Sequence, residues 1–227
     1  KNLETGEILP DNIEYTNGGA TWAADNETVF YTAKEPKTLR SWQIYRYSIA
    51  KKTNPVLVYQ EDDEAFYSYV YKSRSKKYII IGTSATLSDE YRILEADNPY
   101  GNFRIFQPRQ RGLEYSIGHF RNTFYVRTNL NAVNFCLMQT PEGKTTKENW
   151  QVIIPHREDV LLESFTPFTN FLVLEERIKG INQIRIINEI SREDYYIDFN
   201  EDAFVAWVSI NPEFNSEILR IGFSSLT

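Results

Sequence analysis

Hydrophobic and polar positions alternate along most of this chain with a period of two. Short runs such as Thr28–Lys34, Trp42–Ile49 and Pro55–Gln60 are rich in aromatic and β-branched residues, and Asn, Asp, Gly and Pro separate them. Such alternation predicts half-buried β-strands joined by turns. We expect at most one helical turn, near Arg157–Leu162. The pattern therefore predicts an all-β protein.

The predicted strands recur in groups of four. Phe66, Tyr115 and Phe165 mark neighbouring groups and lie about 50 residues apart, and four short strands per repeat of about 40–50 residues is typical of β-propeller blades. The second strand of each group is strongly apolar, as at Tyr78–Ile81, which is expected of a strand buried between two blades. We therefore predict a β-propeller of four-stranded antiparallel blades. The sequence contains no Trp-Asp dipeptide, so a WD40 assignment has no support.

The repeat predicts four whole blades flanked by two half-blades. The outer half of a preceding blade is expected at residues 1–19, and the inner half of a following blade at residues 204–227. The opening segment, Lys1–Ile13, has the pattern of two strands around a Thr-Gly turn. Because the chain begins without Met and without a signal-like apolar segment, we expect it to be a piece of a longer protein. The whole blades are predicted at residues 20–61, 62–110, 111–159 and 160–203.

Composition narrows the classes of partner and compartment. The net charge is −6, and Lys and Arg are scattered, so we expect no nucleic-acid partner. The longest apolar run, Ala203–Val208, is far shorter than a membrane span, so we expect no membrane partner. Cys136 is the only cysteine, which excludes an internal disulfide and fits a reducing compartment. We expect the cytoplasm, with the periplasm left open.

Candidate nucleophiles and metal ligands are few. The string Ile81–Thr86 lacks the second glycine and the helix of a Gly-x-Ser-x-Gly elbow. His119 and His156 are isolated from further ligand types, so each is expected to be a hydrogen-bonded histidine at a strand end or blade junction. Cys136 lies on the packed face of a predicted strand and is expected to behave as a small buried apolar residue.

Paired carboxylates and phosphate loops give no better candidates. Glu175 and Glu176 are adjacent in a predicted strand and point to opposite faces, so they cannot form a catalytic dyad. At most one of them is expected to face a neighbouring blade, where it could pair with an arginine. Gly18 and Gly19 enter a strand rather than a helix, unlike a phosphate-binding loop. We therefore predict no catalytic residue, no cofactor and no metal site within the chain.

Three longer strings carry a family resemblance. They are "RTNLNAVNFCL" (Arg127–Leu137), "IPHREDVLLE" (Ile154–Glu163) and "EERIKG" (Glu175–Gly180). With the flanking segments, which keep their order over nearly the whole chain, they resemble the propeller of the oligopeptidase B (protease II) group in the prolyl oligopeptidase family of serine peptidases.

The resemblance implies more than the periodicity does. Members of the family have a seven-bladed propeller that covers an α/β-hydrolase domain with a Ser-Asp-His triad, and the oligopeptidase B group cleaves short peptides after Lys or Arg. The implied partners are basic oligopeptides and the protein's own C-terminal hydrolase domain. The triad-bearing parts do not match any position of residues 1–227, so the chain alone is expected to lack peptidase activity. The alternative function is a stand-alone propeller scaffold for protein–protein interaction.

The stretch Glu61–Ala85 poses the sharpest question about charge. The four acidic residues Glu61–Glu64 are expected to link two blades, and Lys72–Lys77 is expected to be a solvated turn. Whether Glu61, Asp62, Asp63 or Glu64 contacts the hydrolase domain is left open.

Overall fold

The computed structural model describes residues 1–8, 10, 12–52, 54–188 and 190–225 of the chain. These residues form five antiparallel sheets that follow one another along the sequence, here named A to E. Sheets A to D each contain four consecutive strands in simple order, and sheet E contains two. Four-stranded sheets built one after another from consecutive segments are propeller blades. The predicted all-β propeller of four-stranded antiparallel blades is confirmed.

The strands of the five sheets have the following bounds. Sheet A comprises β1 (Thr16–Trp22), β2 (Thr28–Lys34), β3 (Ser41–Ser48) and β4 (Val56–Gln60). Sheet B comprises β5 (Tyr67–Lys72), β6 (Tyr78–Ala85), β7 (Ser88–Glu95) and β8 (Arg104–Gln107). Sheet C comprises β9 (Tyr115–Phe120), β10 (Thr123–Thr128), β11 (Cys136–Pro141) and β12 (Gln151–Ile154), with a 3-10 turn at Lys147–Asn149. Sheet D comprises β13 (Val160–Pro167), β14 (Phe171–Ile178), β15 (Ile181–Asn188) and β16 (Asp194–Tyr196). Sheet E comprises β17 (Phe204–Val208) and β18 (Ile221–Ser225).

Two local expectations differ from the structure at the start of the chain. Strand β1 begins at Thr16, so the predicted boundary at residue 20 falls inside the first strand of sheet A. The described residues before Thr16 contain a turn at Leu3–Thr5 and no strand. A strand needs a hydrogen-bonding neighbour, and none of the described strands pairs with this segment. That residues 1–19 belong to a preceding blade stays a prediction.

The helical turn expected near Arg157–Leu162 is wrong. Arg157 forms an isolated antiparallel bridge with Val160, and β13 starts at Val160. Burial of Val160 and Leu162 against neighbouring sheets favours the extended chain, because the alternating side chains of a strand place both on one face.

The spacing of Phe66, Tyr115 and Phe165 also misaligns the repeat. Phe165 pairs with Leu174 in the β13–β14 hairpin, whereas the residue in the matching position of β5 is Val70, which pairs with Ile81. Strand β13 carries a register shift between Leu162 and Ser164, which adds a residue to the count. This β-bulge accounts for only one of the four positions between Phe66 and Val70, so Phe66 and Phe165 occupy different places in their blades.

The second strand of each blade holds the stack of sheets together. In β6, Ile79 and Ile81 pack against sheet A, and Tyr78 and Ile80 pack against sheet C. All four side chains are buried. Because successive side chains of a strand point to opposite faces, an apolar strand in this position fills two interfaces at once.

The same alternation continues in the later blades. In β10, Phe124 and Val126 join the core shared with sheet B, and Tyr125 joins the core shared with sheet D. In β14, Leu174 packs toward sheet C and Val173 toward sheet E. Each apolar cluster thus lies between two sheets.

The antiparallel order of the strands defines two ends of the stack. The turns between first and second strands, and between third and fourth strands, lie at one end, which we call the turn end. The turns between second and third strands and the linkers between sheets lie at the other, which we call the linker end. The first strands, β5, β9 and β13, lie on the channel side of their blades, as the first strand does in a propeller. No hydrogen-bonded pairing joins one sheet to another among the described strands, so the sheets meet through their side chains.

Gly82 provides a test of the packing between β5 and β6. A Cβ on Gly82 would lie 2.4 Å from the ring of Tyr69, its cross-strand partner, and the Tyr69 hydroxyl is held 3.0 Å from that of Tyr91. We expect Gly82→Ala to lower the free energy of unfolding by about 2 kcal/mol, because the ring must leave its site. Urea denaturation measures the change. Gly143→Ala is the control, since a Cβ there meets nothing within 4 Å; equal effects of the two substitutions would contradict the packing argument.

Candidate functional site

Glu61, the first acidic residue of the linker between sheets A and B, is 4% exposed. Its carboxylate forms an ion pair with Arg109, from the next linker along the chain. It also accepts hydrogen bonds from the Tyr59 hydroxyl (2.6 Å) and from the Asp63 backbone N–H (3.0 Å). Glu61 thus joins two linkers, and it is not free to contact another domain.

The charges around Glu61 are closely balanced. Burial alone would raise the pKa of Glu61, but the hydrogen bonds from Arg109 and Tyr59 outweigh it and hold the pKa below its ordinary value. Glu90 lies 3.7 Å from Arg109 and 2.5 Å from Arg92. The Arg109 guanidinium also lies 3.9 Å from the centre of the Phe66 ring. Two carboxylates therefore face two guanidinium groups in the joint between sheets A and B.

Arg40 braces the backbone of the same linker. Its guanidinium donates to the carbonyl oxygens of Glu61 (3.3 Å), Asp63 (3.0 Å) and Phe66 (3.1 Å). A planar group with five N–H donors suits this task, since it can satisfy several carbonyls of one loop together. The linker is held from both sides, so the side chains that remain exposed on it have fixed positions.

The exposed acids of the linker border an open cleft of about 500 Å³ at the linker end. Asp62 and Glu64 line it together with Trp42 and Tyr67. Asp62 accepts a hydrogen bond from the Gln60 side chain (2.7 Å), and the Tyr67 side chain is exposed. A carboxylate beside an aromatic ring is a favourable setting for a cationic group. Arg40, which also lines the cleft, already lies 5.7 Å from the centre of the Trp42 ring, so the Tyr67 ring is the one left for a further cation. Of the four acids left open by the sequence, Asp62, Asp63 and Glu64 remain available at the surface.

A Ser-His-Glu chain connects sheets B and C at the turn end. The Nε2 of His119 lies 2.7 Å from Glu142 Oε1, and its Nδ1 lies 2.7 Å from Ser75 Oγ. A carboxylate only accepts, so Nε2–H donates to Glu142, and Nδ1 accepts from the Ser75 hydroxyl. Lys77 also binds Glu142 Oε1, at 2.6 Å. The sequence does not predict this contact, because the spacing of Ser75, His119 and Glu142 matches no known motif.

The arrangement resembles a catalytic triad but cannot act as one. The His119 side chain is fully buried. The centre of its ring lies 4.9 Å from that of Tyr78 and 4.8 Å from that of Phe124. A general base must pass its proton to a leaving group within hydrogen-bonding reach, which an enclosed imidazole cannot do. Burial lowers the pKa of His119, with Glu142 opposing the shift. We assign these three side chains as a polar staple, by which we mean a set of buried hydrogen bonds that joins two blades. His119 is hydrogen-bonded, as expected from the sequence.

Glu175 and Glu176 lie on opposite faces of β14, as the alternation requires. Glu176 is fully buried and pairs with Arg157 of the linker before sheet D, and it accepts a hydrogen bond from the Tyr196 hydroxyl (2.5 Å). Glu175 binds Ser164 and accepts from the Val208 backbone N–H (2.8 Å) in sheet E. The two carboxylates serve separate joints and form no dyad.

Cys136 and the second histidine have structural surroundings. Cys136 is buried in the core between sheets B and C, and burial raises the pKa of its thiol, which makes it a poor nucleophile. His156 lies in the linker before β13, where its Nε2 is buried without a hydrogen-bond partner. In the described part of the chain, no three His, Cys, Asp or Glu side chains are placed to hold a metal ion. Over the same residues, no helix is long and apolar enough to cross a membrane.

Comparison with known proteins places the chain among peptidase propellers. The family model described as the prolyl oligopeptidase N-terminal β-propeller domain matches residues 1–227. Dipeptidyl aminopeptidase BI of Pseudoxanthomonas mexicana is 34% identical over all of the chain and 31% of the relative. Protease 2 of Moraxella lacunata is 25% identical over all of the chain and 32% of the relative. The chain thus spans about a third of the length of these curated relatives.

Solved structures agree with the sequence relatives. Oligopeptidase B from Leishmania major superimposes with a TM-score of 0.88 at 25% identity, over 97% of this chain and 32% of that one. Oligopeptidase B from Trypanosoma brucei, with covalently bound antipain in a closed form, superimposes with a TM-score of 0.88 at 26% identity, over 96% of this chain and 32% of that one. The resemblance inferred from the sequence strings is confirmed.

The ion pair of Glu61 and Arg109 can be tested by removing its negative charge. We expect Glu61→Gln to lower the free energy of unfolding by about 2 kcal/mol; the loss is smaller than for a fully buried pair, because Arg109 reaches solvent. Chemical denaturation of the protein measures the loss. Asp62→Asn, at the neighbouring exposed position, is the matched control and should change stability by less than about 0.5 kcal/mol. A Glu61→Gln protein as stable as this control would show that the joint does not depend on the pair.

The buried His119 predicts a dependence of stability on pH. Its pKa is lowered from 6.5 in the folded protein, so the unfolded chain binds a proton that the folded chain resists. The free energy of unfolding therefore falls as pH drops below about 6.5, before the lowered pKa of Glu142 adds its own loss in more acidic solution. We expect His119→Gln to flatten the decline between about pH 7 and pH 5, and His156→Gln to retain it. Denaturant midpoints across this range measure the effect, and an unchanged decline in His119→Gln would contradict it.

Proposed function

The chain belongs to the prolyl oligopeptidase family, as its N-terminal β-propeller domain, and we propose that it is the lid of a serine oligopeptidase that cleaves short peptides after Lys or Arg. The observation that carries the proposal is the unbroken match of the family model to residues 1–227. In this proposal, the α/β-hydrolase domain follows in the same protein and supplies a Ser nucleophile, a His general base and an Asp that orients the histidine. The described side chains act by covering that site and by controlling access to it.

The rigidity of the blade stack supports a lid. Apolar cores fill all four interfaces between successive sheets, and buried ion pairs or polar staples brace the joints beside them. A channel at the centre of a propeller passes an extended peptide more readily than a folded protein, because a folded domain is much wider than a single extended chain. Exclusion of water and of folded proteins is also what an enclosed hydrolase site requires.

The surface chemistry supports cationic substrates. Asp62 and Glu64 border the cleft that also exposes Tyr67, at the linker end. Negative charge near the entry to a channel raises the local concentration of basic peptides. The proposed partners are therefore basic oligopeptides and the protein's own C-terminal hydrolase domain, without nucleic acid or membrane, and the proposed compartment is the cytoplasm.

A second candidate function is that of a dipeptidyl aminopeptidase. The observation that favours it is the 34% identity to dipeptidyl aminopeptidase BI over the whole chain. The two functions differ in the substrate they require, because a dipeptidyl aminopeptidase acts at a free amino terminus.

Purified full-length protein, assayed with matched peptides, distinguishes these functions. We expect cleavage of an amino-blocked chromogenic peptide after Arg, with kcat/KM at least about 100-fold above that for the Ala analogue, because a pocket built for a charged group rejects a substrate that lacks it. We also expect no cleavage of the same sequence inside a folded protein. Release of dipeptides from unblocked peptides alone would favour the second function, and inactivity toward every peptide would contradict both.

The contact between lid and hydrolase domain is tested by reversing charge at the linker end. If the exposed acids face that domain, Asp62→Lys and Glu64→Lys should each lower kcat/KM several-fold and open the protein, through lost charge complementarity. Peptidase assays and small-angle scattering measure the two effects. Asp97→Lys, at an exposed position of the turn end, is the control. Equal behaviour of all three variants would indicate that the hydrolase domain does not dock on the linker end.

A further inference from the structure

Asn17 is the only asparagine in the sequence that is followed by glycine, and a second glycine comes after the first. In peptides, an asparagine before glycine loses its side-chain amide more readily than other asparagines do. Glycine has no side chain to hinder attack by its own backbone nitrogen on the asparagine amide carbon. The segment Asn17–Gly19 is therefore a candidate for spontaneous modification, and the fold decides whether the reaction can proceed.

Residues 17–19 form a bulge in β1. Ala20 pairs with Tyr31, and the next pair along the strand is Thr16 with Ala33. Three residues of β1 thus face a single residue of β2. Strand β1 is also the edge strand of sheet A, and no other described strand pairs with its free side. Because the backbone of a bulge lies outside the regular ladder, its dihedral angles can change without loss of the pairs on either side.

The nitrogen that must react is exposed and loosely held. All three residues of the bulge are exposed, so water reaches them. Gly18 has a φ of 83°, and a Cβ added to it would meet nothing within 4 Å. The Gly18 N–H donates to the Thr16 hydroxyl at 3.4 Å, which is longer than an ordinary N–H···O hydrogen bond. Little therefore opposes movement of this nitrogen.

The Asn17 amide is turned back over the glycines. Its Oδ1 accepts a hydrogen bond from the Gly19 N–H (2.7 Å), and its Nδ2 donates to the Ser41 hydroxyl (3.3 Å). A Cβ on Gly19 would lie 2.9 Å from Oδ1 and 3.7 Å from Cγ, so this close approach requires glycine at position 19. Negative charge develops on Oδ1 when the amide carbon is attacked, and an N–H that already points at this oxygen stabilises it.

We propose that Asn17 is a site of spontaneous deamidation, at which the folded protein converts an amide into a carboxylate as it ages. The Gly18 nitrogen gives its proton to water and forms a bond to the Asn17 amide carbon, while Nδ2 takes a proton from water and leaves as ammonia. The product is a five-membered succinimide. Water then opens the ring at either carbonyl carbon, which gives aspartate or isoaspartate at position 17. The net change is the uptake of one water and the loss of one ammonia.

The product changes the charge and the main chain at the linker end. Strand β1 begins at Thr16, so Asn17 lies at the end of the stack that carries Asp62 and Glu64, and a carboxylate there adds negative charge. Isoaspartate also lengthens the main chain by one carbon. The bulge can absorb this addition, because the ladder resumes at Ala20. The modified blade therefore stays folded.

Peptide mapping by mass spectrometry tests the site in the full-length protein after ageing in mildly alkaline buffer. We expect the peptide that contains Asn17 to gain about one mass unit and to elute as two products, with aspartate and with isoaspartate. Asn215 is exposed and precedes Ser216, and it should react at least about tenfold more slowly, because a side chain on the following residue hinders attack. An absent gain at Asn17, or one no faster than at Asn215, would overturn the proposal.

A substitution at Gly19 separates the contribution of the fold from that of the sequence. Gly19→Ala keeps the Asn17-Gly18 pair, but its Cβ would displace Asn17 Oδ1 from the Gly19 N–H. We expect the reaction to slow about threefold or more in the folded variant, and not in a synthetic peptide of residues 12–24 with the same change. Gly143→Ala is the matched control and should keep the original rate, since a Cβ there meets nothing within 4 Å. An unchanged rate in folded Gly19→Ala, or equal slowing in the peptide, would overturn a site prepared by the fold.

The unsubstituted protein supplies a second comparison that does not depend on the folding of a variant. Its rate of deamidation at Asn17 is measured in native buffer and in concentrated guanidinium chloride. We expect the folded protein to react at no less than about one tenth of the unfolded rate, because the bulge is not held by the ladder. A slower reaction would show that the fold protects Asn17 and would overturn the proposal. None of these measurements requires peptidase activity, so the proposed function and the modification site stand or fall separately.

Discussion

Burial of the second strand of each blade on both of its faces is the constraint on which the rest of the structure depends. A strand such as β6 cannot satisfy this constraint alone, since Ile79 needs sheet A and Ile80 needs sheet C. Each blade is therefore stabilised by its neighbours on either side, as in other repeat architectures. The stack extends along the chain because each new sheet covers the face that the last one leaves.

This packing decides where charged groups can lie. The sheet interiors are apolar, so ionisable side chains concentrate at the ends of the stack, where linkers and turns meet. There they join neighbouring blades: Glu61 with Arg109 at the linker end, and His119 with Glu142 at the turn end. Partial burial strengthens these contacts, and each group is partnered because an unpaired buried charge is costly. The Ser-His-Glu chain shows that a triad-like order of hydrogen bonds has no catalytic meaning without access to a substrate.

The same packing bears on the proposed lid. A rigid stack offers a channel of fixed width, and selectivity then depends on the loops at its two ends. The linker end presents Asp62 and Glu64 beside the exposed Tyr67 ring, and at the turn end Arg74 donates to the Asn211 carbonyl between β17 and β18.

The all-β fold, the blade repeat and the family follow from the sequence, because alternation and turn residues are local signals that recur in every blade. The sequence also excluded a dyad of Glu175 and Glu176, since neighbours in a strand face apart. Only the tertiary structure decided which distant side chains meet. Arg74 and Asn211 are 137 positions apart, and their contact depends on how the two intervening sheets, C and D, are placed. Phe66 and Phe165 look equivalent in the sequence, but the strand pairing matches Phe165 with Val70, because register depends on the partner strand rather than on residue type.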